Sequence, residues 1–341
     1  MKAYRIQSGD NIDGLRLEDM PTRALAAGEV RIRVHAVALN YRDLMVARGN
    51  YLVSLDEPVI PCSDGAGDIL EVGPGVTRWQ VGDRVVASFF PNWIDGVSTP
   101  EKIRHALGGD IDGMLAEEVI LHQDALVKIP PKLGFIDAST MPCAGVTAWN
   151  AIFVQSRAKP GDSVLLLGTG GVSVLGLQFA KAAGLRAIIT SSSDDKLERA
   201  RFLGAHVTIN YRTTPAWHEE VQRLTHGTGA NVVLEVGGQG TINSSVAAAS
   251  MGGTVAVIGG VSGFGGELNP ASLLAGAKRL VGIFVGSRQM LEDVMRFAEV
   301  ADLKPVVDRV FPFDQAQDAY RYMESGEHFG KIVISVTHQA G

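Results

Sequence analysis

The sequence is poor in cysteine, with only Cys62 and Cys143 among 341 residues, far apart in the chain. This spacing excludes a CxxC pair and disfavours a disulfide framework, which is typical of a protein from a reducing compartment. No apolar run is long enough to span a bilayer. The opening residues, MKAYRIQSGD, lack the apolar core of a secretion signal. We therefore expect a cytoplasmic protein without a membrane partner.

Long basic runs are also missing, since none exceeds two residues, and the net charge is −6, with 31 basic against 37 acidic residues. Nucleic-acid binding needs a concentrated cationic face, so no nucleic-acid partner is expected.

The chain of 341 residues is too long for one ordinary domain, and its length suits two.

Strand patterns dominate the first 125 residues. Val30–Val37 alternates apolar with basic or polar side chains, as a half-buried strand does. Further short strands are predicted at Ile69–Val72, Arg84–Ala87 and Glu117–His122. This predicts a turn-rich, β-rich domain over 1–125. Two strands near the C-terminus, Val306–Phe311 and Lys331–Val336, are expected to return over 301–341 and close its sheet.

Between residues 126 and 300, apolar runs alternate with amphipathic helical stretches. Six strands are predicted, at Val164–Leu167, Ala187–Thr190, Val207–Ile209, Val232–Val236, Thr254–Ile258 and Leu280–Val285. Repeated strand–helix units of this length imply a parallel, doubly wound sheet of the Rossmann type. The fold class is therefore α/β, with a second, β-rich domain.

A glycine loop follows the first of these strands and opens a helix. It reads Gly168-Thr169-Gly170-Gly171-Val172-Ser173. Gly168 permits the tight turn, and Gly170 and Gly171 let the backbone approach a pyrophosphate. The N-terminus of the helix offers unpaired N–H groups to it. Ser173 replaces the third glycine of the usual fingerprint, but the strand–loop–helix context predicts a dinucleotide site.

The end of the second strand indicates which dinucleotide is bound. An NAD site places a carboxylate there for the ribose 2′-hydroxyl. Here Ser191 and Ser192 follow the strand, with Lys196 and Tyr211 expected near the same pocket. Hydroxyl and ammonium groups suit a 2′-phosphate, so NADPH is favoured over NADH. The alternative is that the serines only cap the next helix.

Several segments together resemble the medium-chain dehydrogenase/reductase family, and its quinone-oxidoreductase-like branch in particular. Besides the glycine loop they are Asn40-Tyr41-Arg42-Asp43, Pro61-Cys62-Ser63-Asp64-Gly65-Ala66-Gly67, Val81-Gly82-Asp83-Arg84-Val85, Cys143-Ala144-Gly145-Val146-Thr147-Ala148-Trp149 and Gly330-Lys331-Ile332-Val333. The resemblance covers almost the whole chain. It implies a GroES-like catalytic domain, a Rossmann domain and a cleft between them.

The resemblance also bears on zinc. Zinc-dependent members hold the catalytic metal with a Cys, the His of a Gly-His-Glu motif and a second Cys. The matching positions here are Asn40, Ser63 and Cys143, and only the last is a ligand type. The stretch 91–113 contains no cysteine, so the structural zinc lobe is also missing. We expect no metal.

Tyr51 is the candidate proton donor, because zinc-free relatives carry a tyrosine at the matching position and a phenol can protonate a developing enolate. The alternative is that it only packs. Asn40 is expected to orient the substrate or hold the nicotinamide ribose, with Tyr41 as a second candidate. Further cofactor contacts are implied at Thr147, Val172, Gly259, Phe284, Val285 and Gly286, and at Lys331, which is expected to pair with the pyrophosphate.

These residues predict NADPH-dependent hydride transfer to a small-molecule acceptor, a quinone or an α,β-unsaturated carbonyl, without zinc. Two alternatives stay open: a zinc-independent alcohol dehydrogenase or carbonyl reductase, and an NADPH-binding protein with a non-catalytic or RNA-binding role. The apolar run Arg279–Val285 is expected to be an edge strand that pairs with a second copy, giving a homodimer.

Overall fold

The structure, a computed structural model, describes residues 1–51 and 57–337. The chain forms two compact units, Met1–Val146 with Gly286–Gly341, and Thr147–Val285. The last part of the chain therefore returns to the first unit, as predicted. The boundaries fall at 146/147 and 285/286, where the sequence suggested 125/126 and 300/301.

The first unit is built from strands on both sides of the second. Its first part contains β1 Lys2–Arg5, β2 Arg16–Asp19, β3 Glu29–Ala38, α1 Tyr41–Ala47, β4 Asp64–Val72, β5 Arg84–Ala87, β6 Glu118–His122, β7 Leu126–Lys128 and α2 Phe135–Ser139. The second unit follows with α3 Val146–Trp149, β8 Ser163–Leu166, α4 Gly171–Ala182, β9 Arg186–Ser191, α5 Asp194–Phe202, β10 Val207–Asn210, α6 Trp217–Leu224, β11 Ala230–Glu235, α7 Ile242–Ala248, β12 Ala249–Val257, α8 Pro270–Leu274 and β13 Arg279–Gly282. The chain ends with α9 Arg288–Val300, β14 Val307–Pro312, α10 Ala316–Ser325 and β15 Lys331–Ser335.

The main sheet of the first unit has the order β14-β15-β3-β4-β5-β7, with β6 paired to β3. Strand β15 runs antiparallel to β3, with Val333 opposite Ala38, so the predicted closure of this sheet by the tail is confirmed. Strand β7 pairs with β5, and α9 packs against β7. These contacts explain why both elements belong to the first unit and why the boundaries differ from the predicted ones.

The second unit carries a six-stranded parallel sheet in the order β10-β9-β8-β11-β12-β13. The chain builds outwards from β8 in one direction and then from β11 in the other. Ligands of doubly wound sheets bind where the order reverses in this way, beyond the carboxyl ends of the central strands. The predicted Rossmann sheet is confirmed.

One predicted strand is too long. The sixth strand of the second unit was expected to continue to Val285, but β13 ends at Gly282. The apolar run continues, yet Val285 adopts φ +53°, a left-handed conformation that β-branched residues seldom take and that no strand can include. Within residues 1–51 and 57–337, every helix is too short or too polar to cross a bilayer.

Candidate active site

The glycine loop joins β8 to α4, as predicted. Gly168 adopts φ +72°, which gives the tight turn. Gly170 stands at the N-terminus of α4 and offers no side chain to cap it. A Cβ on either Gly168 or Gly170 would meet no atom within 4 Å, so the space over the loop is open. Uncapped N–H groups beside open space fit the pyrophosphate of a dinucleotide.

Ser173 replaces the third glycine of the fingerprint without loss of packing. It is 2% exposed, and its hydroxyl donates to the carbonyl oxygen of Leu167 at 2.7 Å. This bond satisfies the buried hydroxyl and ties the first turn of α4 to the end of the preceding strand. Val172 lies next to it in the same turn.

The residues predicted to read the ribose follow the ends of β9 and β10. The N–H of Tyr211 donates to the Ser191 carbonyl at 3.1 Å, which brings the two strand ends together. The Ser191 hydroxyl accepts from the N–H of Ser193, which itself caps α5 by accepting from the N–H of Lys196. Ser193 thus has the capping role foreseen as an alternative, and Ser191 supports it through the Ser193 N–H. Their oxygens accept in both bonds, so each hydroxyl keeps its proton for another acceptor.

The expected nicotinamide contacts lie at the ends of β12 and β13. Gly259 follows β12, and its N–H donates to the Glu235 carbonyl at 3.3 Å. Val285, only 7% exposed, is held in its left-handed conformation by a 2.8 Å hydrogen bond from the amide of Asn150 to its carbonyl. Strain of this kind is typical of ligand-binding backbone.

Three further residues, Thr147, Phe284 and Gly286, are also expected to contact the nicotinamide end of the cofactor. Thr147 is buried at 3% exposure, and the Phe284 side chain is 38% exposed. Gly286 belongs to the first unit.

A buried polar cluster lies in the first unit. It consists of Asn40, Arg42 and Asp43 at the start of α1, Ser63 and Asp64 at the start of β4, and Lys331 from β15, with the partly exposed Cys143 beside Asp64. The Lys331 ammonium donates to the Asn40 amide oxygen at 2.7 Å and to the Leu39 carbonyl at 2.5 Å. The Ser63 hydroxyl donates to Asp64 Oδ1 at 2.6 Å, and the N–H of Cys143 donates to Asp64 Oδ2 at 3.1 Å.

Two carboxyl groups of the cluster have perturbed acidity. Burial raises the pKa of Asp43 to about 6, against the opposing effects of Arg42 and of a 2.8 Å hydrogen bond from the Asn40 N–H. Burial also raises the pKa of Asp64, with Lys331 acting in the other direction. Titratable groups shifted in this way are concentrated in functional sites.

The comparisons with known proteins agree with this geometry. The profile of the alcohol dehydrogenase GroES-like domain matches residues 26–131, and that of the zinc-binding dehydrogenase domain matches residues 171–300. A zinc-type alcohol dehydrogenase-like protein of Schizosaccharomyces pombe is 45% identical over 92% of both chains. The chain belongs to the medium-chain dehydrogenase/reductase family. It is an oxidoreductase of the alcohol dehydrogenase type.

Other members of the family are similar over nearly their full length. An alcohol dehydrogenase of Geobacillus stearothermophilus is 32% identical, with 94% of this chain and 96% of the relative covered. A crystal structure described as an NAD-dependent alcohol dehydrogenase superposes with a TM-score of 0.90 at 35% identity, covering 99% of this chain and all of the other.

The family positions for catalytic zinc hold a different donor set here. Asn40 presents an amide, and its oxygen is bonded to an ammonium. Ser63 is fully buried, and its hydroxyl donates a hydrogen bond to Asp64 Oδ1. Cys143 is the one side chain of a usual zinc-ligand type at these three positions, and a catalytic zinc needs three protein ligands. In the described part of the chain, no group of three or more His, Cys, Asp or Glu side chains could hold a metal ion.

Lys331, which was expected to pair with the pyrophosphate, is 2% exposed and hydrogen-bonded within the polar cluster of the first unit. Tyr51 lies beside that cluster, with its ring 4.7 Å from the Arg42 guanidinium carbon. Tyr41, at the start of α1, is 44% exposed and belongs to the surface of the first unit.

Sequence reasoning missed two buried groups. One is Arg42, which is 8% exposed, and its position in a short apolar helix is the signal that could have indicated it. The other is Glu235, which follows the apolar run Val232–Leu234 at the end of β11 and is fully buried. One of its oxygens accepts from the N–H groups of Gly237 and Gly238 at 2.6 and 2.9 Å and from the Thr241 hydroxyl at 2.6 Å. This carboxylate holds the loop between β11 and α7 beyond the carboxyl edge of the sheet.

Proposed function

We propose that this oxidoreductase reduces a quinone or an α,β-unsaturated carbonyl compound with NADPH and without zinc. The observation that carries the proposal is the hydrogen bond from the Lys331 ammonium to the Asn40 amide oxygen. A buried cation bonded at a position where relatives hold zinc disfavours a second, divalent cation there. Ser63 supports the same conclusion, because its hydroxyl donates to Asp64 Oδ1.

The absence of a Lewis acid would favour reduction of activated acceptors. Oxidising an alcohol requires stabilisation of an alkoxide, which zinc otherwise provides. Quinones and unsaturated carbonyls already accept hydride readily, and a bound nicotinamide supplies that hydride. The protein then needs to orient the acceptor, exclude water and deliver one proton. We assign orientation to Asn40 and proton donation to Tyr51, and binding of the pyrophosphate to the backbone of Gly168–Gly171.

NADPH is proposed over NADH because no carboxylate ends β9. The nearest one, Asp194, accepts a 2.8 Å hydrogen bond from the Asn210 amide. The hydroxyl protons of Ser191 and Ser192, with Lys196 in the next turn, suit the oxygens of a 2′-phosphate.

A second function is zinc-independent alcohol oxidation or carbonyl reduction. The names of two similar proteins favour it, because one is described as a zinc-type alcohol dehydrogenase-like protein and the other as an alcohol dehydrogenase. The two functions differ in the acceptor used and share the cofactor and the fold.

The test is consumption of NADPH by the purified full chain with 1,2-naphthoquinone, 2-alkenals and simple ketones, alongside the zinc content. We expect turnover with the first two classes, full activity after EDTA treatment, and less than stoichiometric zinc. Tyr51→Phe should lower turnover with 2-alkenals more than with the quinone. Stoichiometric zinc that is needed for activity would overturn the proposal. Turnover with ketones alone would support the second function, and tight NADPH binding without turnover would support a non-catalytic role.

A homodimer is proposed from the edge of the second unit. Strand β13 is the last strand of its sheet, and Leu280 on it is 39% exposed. Phe264 and Leu274, on the segment that precedes β13, are 74% and 83% exposed. An apolar edge strand of this kind is covered when a second copy pairs with it. Sedimentation equilibrium should give twice the chain mass, and Leu280→Lys should lower it. A monomer at every concentration would contradict this assembly.

A further inference from the structure

Arg42 lies between two aromatic rings in the first unit. Its guanidinium carbon is 4.7 Å from the centroid of the Tyr51 ring and 4.7 Å from that of Phe89. The side chain leaves α1 on its buried side and is 8% exposed. Both rings are within cation–π distance of the guanidinium, whose N–H groups remain available as hydrogen-bond donors.

Among residues 1–51 and 57–337, the guanidinium of Arg42 finds acceptors for only part of its N–H groups. Nη1 donates to the Leu107 carbonyl at 2.7 Å. Nε and Nη2 are buried, and neither has a hydrogen-bond acceptor among the described residues. Buried donors without acceptors are rare in native proteins because they cost free energy. They therefore indicate a function, such as stabilising a neighbouring side chain that becomes negatively charged during a reaction. The position thus keeps a positive charge that is only partly compensated.

Three charged or titratable groups face Tyr51. Burial raises the pKa of its phenol, and Cys143 and Asp43 act in the same direction. Arg42 alone among these groups favours the phenolate. Since a buried phenol without help would hold its proton too tightly to donate it, the cation behind the ring is the feature that makes proton transfer feasible.

We propose that Arg42 is a positioning residue that stabilises the phenolate of Tyr51 while that tyrosine serves as the acid of the reaction. The inference rests on the proposed function in that Tyr51 is its proton donor. In the step concerned, the O–H bond of Tyr51 breaks and the proton bonds to the reduced acceptor. The electron pair stays on the phenolate oxygen, whose ring lies against the guanidinium. A proton from solvent then restores the phenol.

A purely structural role for Arg42 makes a different prediction. Stacked between two rings, the guanidinium would stabilise the packing of α1 but leave the acidity of Tyr51 unchanged. Thermal stability and activity cannot separate the two roles, because both fall when a packed side chain is lost. The acidity of the phenol at position 51 does separate the two roles, and it can be measured without turnover.

The experiment places 3,5-difluorotyrosine at position 51 of the full chain and follows its ionisation by fluorine NMR. The fluorines lower the phenol pKa into a range where the protein stays folded. We compare the parent with Arg42→Gln, Arg42→Lys and the matched control Arg84→Gln. Arg84 also stacks on a ring in the first unit, 4.8 Å from Phe135. We expect Arg42→Gln to raise the pKa at position 51 by about 1–3 units. Arg42→Lys should retain most of the effect, and Arg84→Gln should have none.

An unchanged pKa in folded Arg42→Gln overturns the proposal. If Arg42→Gln does not fold, the guanidinium nitrogen resonance of Arg42, assigned with Arg42→Lys, carries the test in the unmutated chain. It must shift with the same midpoint as the fluorine signal, and a resonance that does not follow that midpoint overturns the proposal equally. Failure of the proposed function would be distinguishable: NADPH would not be consumed, although Arg42→Gln would still raise the pKa at position 51.

Discussion

The ammonium of Lys331 donates a 2.7 Å hydrogen bond to the amide oxygen of Asn40, although 291 positions separate the two residues. The bond joins β15, near the end of the chain, to the residue that precedes α1. Lys331 is 2% exposed, so its charge has lost nearly all contact with water and depends on these acceptors. The Asp64 carboxyl, whose pKa this ammonium lowers, adds a favourable charge.

Replacing Lys331 with Met should destabilise the protein by about 3 kcal/mol, because the Asn40 and Leu39 oxygens lose a charged donor and Asp64 loses its cation. Urea unfolding of both proteins measures the difference. Lys128→Met is the control, since this lysine is 72% exposed and 3.7 Å from Asp83. It should change the free energy of unfolding by less than about 0.5 kcal/mol. Equal losses for the two variants would mean that the buried ammonium contributes no more than a surface charge.

Asp43 should make the protein less stable as the pH rises from 4 to 7. Burial raises the pKa of this carboxyl from 3.8 to about 6, so the folded state holds the proton more tightly than the unfolded chain. The stabilisation is fully present below about pH 4 and is lost as the pH passes 6. It corresponds to roughly 3 kcal/mol.

Asp43→Asn tests this dependence. The amide oxygen can still accept from the Asn40 N–H, and the side chain no longer titrates. The free energy of unfolding of the variant, measured in urea at pH 4, 5, 6 and 7, should fall less with pH than that of the parent. Asp64, whose pKa is raised in the same direction, titrates in both proteins. Parallel curves would show that folding leaves the pKa of Asp43 unchanged.

Gly170→Ala should weaken cofactor binding and leave stability nearly unchanged. The residue has φ −80°, which alanine adopts freely, and a Cβ would meet no protein atom within 4 Å. That Cβ would stand in the open space where the pyrophosphate is proposed to lie. We expect at least a tenfold rise in the dissociation constant of NADPH, measured by fluorescence titration, equivalent to about 1.4 kcal/mol. Gly134→Ala, at another helix N-terminus, is the control and should bind NADPH as the parent does. Unaltered binding in Gly170→Ala would place the pyrophosphate elsewhere.

Ser191→Asp should shift the preference from NADPH towards NADH, because a carboxylate at the end of β9 repels a 2′-phosphate and accepts from a 2′-hydroxyl. The ratio of the two dissociation constants should change by about tenfold or more. Ser193→Asp adds the same charge two residues later and retains a good cap for α5, so its effect should be smaller. If both variants change the ratio equally, net charge rather than contact with the ribose is responsible.

The architecture could be predicted because each element carries its own periodic pattern. The six strands of the second unit are continuous apolar runs between helical stretches, and a parallel sheet needs both of its faces covered by such helices. The unit boundaries could not be predicted, since β7 is only three residues long and α9 has the pattern of any amphipathic helix. Whether these two elements join one sheet or the other depends on pairing with β5, which is distant in sequence.

The candidate site divides along the same line. The glycine loop and the serines after β9 are contiguous in the chain, so backbone geometry and charge alone indicated a nucleotide site there. Arg42 and Lys331 obtained their roles only from the folded chain, because the partners that a buried cation needs are supplied by segments remote in sequence. By itself the sequence determined the family, the alternation of strands and helices in the second unit and the nucleotide loop, which depend on local patterns. Tertiary structure alone decided that Lys331 lies against Asn40 and that Arg42 lies behind Tyr51. A buried charge loses its hydration, so its position depends on the acceptors and rings that the packed fold places around it.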